Sequence, residues 1–152
     1  MDADYYHIPI EIYTLSTKPK PGSDYLEFFP GKFRGKYGNE ESIYINEDVF
    51  DYIESVFYKN LESYSRYENT EITKDNIDKL IQEIEIFSRE LTGKTTVDLI
   101  IAHLGYDHTR MSDDWKQTYI NKKEGILKLC HDMASWLKQA INKTETITII
   151  GI

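Results

Sequence analysis

The residues best suited to chemistry stand close together in His103-Leu-Gly-Tyr-Asp-His108, with Asp113 and Asp114 a few positions on. Imidazole and carboxylate are the donors that zinc and iron sites use, so His103, Asp107 and His108 could hold a divalent ion in a metal-dependent hydrolase. The spacing is against it. Two histidines four apart share a helical face, whereas His103 and His108 are five apart and divided by Gly105. Asp113 and Asp114 have a simpler role in the first turn of a helix, where the macrodipole favours negative charge. The ordinary reading is a loop histidine and a charged helix start, with the hydrolase kept as an alternative.

A nucleophile is no easier to find. Cys130 is the only cysteine, and His131 follows it directly. Neighbours on a helix point about 100° apart, so the two do not form a catalytic pair, and Cys130 reads as a buried core thiol. One cysteine makes no internal disulfide, and the fold does not depend on an oxidising compartment. His7 and His131 read as structural. There is no nucleophile elbow, phosphate loop or dinucleotide fingerprint, so the expectation is a protein that is not an enzyme and needs no cofactor. Lys32, Arg34 and Lys36 alternate with Phe33 and Tyr37, which is the solvent face of a strand more readily than a phosphate patch. A net charge of −8 argues in the same direction, against direct nucleic-acid binding.

What the sequence does concentrate is acid. Residues 39–91 hold fourteen of the 26 carboxylates and five of the 18 basic side chains, and the rest of the chain is close to neutral. Within that stretch Asn46 is a good N-cap, and Val49, Phe50, Ile53, Val56, Phe57, Leu61 and Tyr64 keep helical spacing. Glu47, Asp51, Glu54, Tyr58 and Glu62 then fall within about 80° of one another beside the apolar stripe. Thr73 is placed to cap a second helix that buries Ile77, Leu80, Ile81, Ile84, Phe87 and Leu91 and ends at Gly93. Ile86 falls nearly opposite that stripe, among charged residues. A carboxylate ridge with an aromatic and an aliphatic side chain in it has the makings of an interface for a basic partner.

The elements around this ridge are a short apolar piece over Thr95–Leu104, closed by Gly105, which reads as a buried helix although so short a run also allows a strand, and a long helix over Ser112–Asn142. Trp115, Tyr119, Ile126, Cys130, Met133, Leu137 and Ala140 form the apolar stripe of the long helix. Thr146-Ile-Thr-Ile-Ile-Gly-Ile152, rich in β-branched residues, reads as a strand. At the other end His7–Leu15 alternates as a strand with Pro9 at an edge, and Pro30-Gly31 reads as the turn of a hairpin between Tyr25–Phe29 and Lys32–Arg34. Ser42–Ile45 reads as a further short strand. The expectation is one α+β domain over 1–152. A small antiparallel sheet including the N- and C-terminal strands would pack against three to four helices, with a long central C-terminal helix. With no apolar run long enough for a membrane span and no basic leader, a soluble cytoplasmic protein is expected.

In its size, its acidic Asn46–Leu91 pair of helices and its closing Thr146–Ile152 strand, the chain resembles the small, acidic immunity proteins of bacterial polymorphic and contact-dependent toxin systems. The resemblance is one of role rather than motif. It implies a stoichiometric inhibitor that masks a cognate toxin, with carboxylates meeting the basic substrate cleft when that toxin is a nuclease. Glu47, Asp51, Glu54, Tyr58, Glu62 and Ile86 are the contact residues it implies. A non-catalytic accessory protein, dimerising through an edge strand or Ile86, is the other alternative.

Overall fold

The computed structural model describes residues 9–18, 24–35, 39–105 and 112–151. Among them the elements run β1 (Tyr25–Pro30), β2 (Ile43–Asn46), α1 (Glu47–Phe50), α2 (Glu54–Asn60), β3 (Thr70–Thr73) and α3 (Lys74–Thr92). They continue with α4 (Val97–Leu104), α5 (Asp113–Asn121), α6 (Lys123–Lys143) and β4 (Thr146–Ile150). The strands form one antiparallel sheet in the order β2-β1-β4-β3. The α+β architecture expected from the sequence is the one adopted. None of the described helices is long and apolar enough to cross a membrane.

Register explains which residues make the core. Phe28 stands opposite Ile43 on one side and Ile149 on the other, and Ile147 stands opposite Ile72, so the β-branched and aromatic side chains of all four strands collect on one face. That face is buried under α6 and α3, whose own buried positions are the expected ones: Ile126, Cys130, Met133, Leu137 and Ala140 on α6, and Ile77, Leu80, Ile81, Ile84, Phe87 and Leu91 on α3. Trp136 of α6 sets its ring against Phe28 and donates its indole N–H to the Glu41 carbonyl at 3.2 Å. The opposite face carries Tyr25, Glu27, Tyr44, Thr148 and Ile150.

Several local expectations are corrected. The strand expected at His7–Leu15 does not form over its described part. The Glu11 amide bonds the Pro9 carbonyl, a three-residue turn that bends the chain, and ladder pairing is reduced to one bridge between Tyr13 and Tyr44. Ile10 instead packs on α6 at Gly125, and Ile12 packs against the core. His7 and Ile8 lie outside the described residues. The sheet therefore begins at Tyr25, and it is β1 that pairs with β4.

The hairpin at Pro30-Gly31 is also absent. Gly31 has φ 116° and its carbonyl accepts a hydrogen bond from the Thr148 hydroxyl at 2.8 Å, so the chain turns over the second sheet face rather than back along β1. Lys32 and Arg34 are exposed there outside any strand, and Lys36 lies outside the described residues. The long helix is broken at Lys122 because its two halves serve different neighbours: α5 packs against α4, and α6 against α3 and the sheet. At the break the Lys123 ammonium caps the carbonyls of Thr92 and Lys94 at the end of α3. Gly93, expected in a left-handed cap, has φ −78°, whereas Gly105 after α4 does adopt it with φ 92°.

Candidate functional site: the acidic face of α1, α2 and α3

The acidic ridge begins as the sequence requires. The Asn46 side chain accepts the Asp48 amide at 2.8 Å, and Glu47 and Asp48 occupy the first turn of α1. The helix does not continue. Tyr52 bonds back to Val49, Ile53 to Phe50 and Val56 to Ile53, each three residues away, which tightens the chain and advances each residue by about 120°. Residues beyond the break are turned relative to Glu47, so the ridge is two short helices rather than one stripe. Glu62 stands past the end of α2, exposed in the turn that follows. The apolar side holds: Val49, Phe50, Ile53, Val56, Phe57, Leu61 and Tyr64 are all buried.

The break places Asp51 and Glu54 around a residue that the ridge pattern does not contain. Arg66 donates from Nε and Nη2 to the two oxygens of Glu54, at 2.9 and 2.8 Å, and from Nη2 to Asp51. The Tyr64 hydroxyl adds a bond to Glu54 at 2.7 Å, and its ring meets Tyr58 edge-on with centroids 4.8 Å apart. Glu54, at 15% side-chain exposure, takes the bidentate share; Asp51, at 38%, takes the lesser one. The electrostatics follow from that division. Burial works against the Arg66 charge, but its bonds to two carboxylates outweigh burial and hold its pKa above the ordinary value. At Asp51 burial wins over the bond from Arg66 and the pKa is raised. Burial, and next the Glu54 bond, push the Tyr64 phenol well up.

Among the described residues Glu47 and Glu62 form no ion pair. Glu47 has its pKa raised by burial and then by Asp24 and Asp48, with Arg66 opposing more weakly. Tyr58 is 54% exposed and Ile86 36%, and Tyr67, in the turn beside Arg66, is 75% exposed. Thus Asp51, Glu54 and Tyr58 are brought together through Arg66 and Tyr64. Ile86 stands on the outer arc of α3, and among the described residues no hydrogen bond, ion pair or ring contact joins it to them. Beside it, Glu85 is paired with Lys138 of α6 at 2.5 Å. Arg66 and Tyr67 were missed in the sequence; the available signal was that Arg66 is one of few cations in an acidic stretch.

The other chemical candidates are placed as follows. His103 stacks on Phe87 with centroids 4.4 Å apart, and its Nε2 hydrogen-bonds the Phe87 carbonyl at 2.9 Å, which commits the ring to helix packing. Asp107 and His108 lie outside the described residues, and among those described no three His, Cys, Asp or Glu side chains are grouped to hold a metal ion. Cys130 is buried, which pushes its thiol up to about 12, while His131 is exposed. Compared with protein-family models, characterised proteins and solved structures, the chain matches none.

Proposed function

We propose that this is an immunity-type protein of the bacterial cytoplasm, which neutralises a cognate basic, nuclease-like toxin by covering it with the acidic face of α1, α2 and α3. The observation that carries this reading is the coincidence of two surpluses. Three of the four large hydrophobic side chains exposed among the described residues, Tyr58, Tyr67 and Ile86, fall within the same third of the sequence that holds the excess carboxylates. Aromatic anchors that lose water on contact, ringed by charge of one sign, suit a partner of the opposite sign. Glu47, Tyr58 and Glu62 are free to meet it. Asp51 and Glu54 serve it at second hand, by fixing Arg66 and Tyr64.

The reading requires a large secreted protein with a basic C-terminal domain to be encoded beside this one, and the test is binding to that domain. Titration should give a one-to-one complex in which the domain's nuclease activity is lost. Glu47→Lys with Glu62→Lys should weaken the complex at least about tenfold, and Tyr58→Ala by a similar factor. Unchanged affinity in all of these variants would remove the face from the mechanism. Absence of binding to that domain would remove the function.

A further inference from the structure

The sheet face turned away from α6 holds an arrangement that the acidic helices do not involve. Tyr44 stands opposite Glu27 in the β1–β2 ladder, and Tyr25 precedes Glu27 by two residues, so the three side chains share that face. Tyr13, bridged to Tyr44 through the backbone, sets its ring edge-on to Tyr25 with centroids 6.0 Å apart. Above this floor stands the Lys18 ammonium, 4.6 Å from the centre of the Tyr44 ring and 5.9 Å from that of Tyr25. Glu27 is 5% exposed and lies close enough to the Tyr44 hydroxyl to add to burial in raising the phenol's pKa, but among the described residues its Oε2 has no hydrogen-bond partner. Lys18 does not supply one, since no ion pair joins the two among the described residues.

The rings, which Lys18 already occupies, and the Glu27 oxygen, which it does not reach, suit one and the same group. Tyrosine faces attract a cation within about 6 Å of the ring centre. A buried carboxylate oxygen without a donor is costly, and calls for an N–H or a positive charge. A carbon-substituted ammonium with hydrogens left on nitrogen satisfies both, laying its methylenes on the rings and donating to Oε2. We propose that Tyr13, Tyr25, Tyr44 and Glu27 form a binding site for a primary alkylammonium ligand, and that Lys18 occupies it as an internal stand-in. In the turn that carries Lys18, Thr14, Ser16 and Thr17 are exposed, and the Thr14 carbonyl accepts the amides of Lys18 at 2.9 Å and Thr17 at 3.2 Å.

The experiment is a titration of n-butylammonium chloride into the wild-type protein, Lys18→Ala, and Lys18→Ala with Glu27→Gln, followed by NMR of the tyrosine rings. The vacated site should bind at least about tenfold more tightly than wild type, and Glu27→Gln should reverse that gain. Tetramethylammonium, which has no N–H, should bind Lys18→Ala more weakly than n-butylammonium does. In the wild type the ε-methylene protons of Lys18 should be shifted upfield by the rings, and should move toward the free-lysine position as n-butylammonium displaces them. This last readout stands alone if Lys18→Ala does not fold. Equal binding by wild type and Lys18→Ala, no loss with Glu27→Gln, Lys18 methylenes unshifted in the wild type, or the same spectral change with potassium chloride would each overturn the proposal.

Discussion

At the scale of single residues, Arg66 decides how the acidic face is to be probed. Reversing Asp51 and Glu54 to lysine is the natural test of the ridge as the sequence presents it, but in the folded protein those carboxylates hold Arg66 and Tyr64 in place. Removing one partner of a largely desolvated pair leaves the other buried and alone. Arg66→Ala or Glu54→Lys should therefore cost about 2–4 kcal/mol, read as a fall in urea midpoint, before any partner is present. Glu47 behaves in the opposite sense. Its folded pKa is raised, so its contribution favours the folded state below the unfolded value, about 4, and is lost as pH rises through the folded value. Glu47→Gln should accordingly raise the melting temperature at neutral pH, by an amount that shrinks on acidification. Affinity for a basic partner should fall over that same acid window, as Glu47 and Asp51 lose charge before an ordinary carboxylate would. Cys130, with a thiol pushed up to about 12 by burial, should react with a thiol reagent only after unfolding.

The helices and strands differ in how much of them is legible in the sequence. Helical stripes are repeated every three or four residues, and the buried positions of α3 and α6 agree with that periodicity. β3 escaped notice because Thr70-Glu-Ile-Thr73 offers one aliphatic residue and runs directly into a helix; it is a strand only because β4 lies beside it. The reverse error at His7–Leu15 has the same origin. Alternation was present, but strand formation depends on a partner, and only Tyr13 has one. The Arg66 clamp was illegible for a related reason, since it depends on how the segment after α2 folds back onto α1. That fold-back rests on Gly151. A Cβ there would lie 2.6 Å from the carbonyl oxygens of Arg66 and Glu68, both backbone atoms. Gly151→Ala should therefore destabilise the fold by about 1–3 kcal/mol and expose the Arg66 turn first, seen as faster amide exchange at Tyr67 and Glu68.

For the molecule as a whole, the two sheet faces divide the work. One is filled by Leu26, Phe28, Ile147 and Ile149 under α6, and composition and periodicity sufficed to anticipate such a core. The other carries Glu27, Tyr44 and Thr148, and nothing in a sequence marks those as buried until strand order is known. That order also sets a timetable. β4 lies between β1 and β3 and pairs with both, so until a ribosome delivers Thr146–Ile150, more than a hundred residues after β1 was made, β1 has only β2 beside it and β3 has no strand partner. During synthesis β1 and β3 have open edges, a hazard for pairing with other chains, and the sheet closes late and through distant partners. Pulse-labelled chains halted before Thr146 should accordingly aggregate or be digested by protease, and chains that extend past Ile150 should resist both.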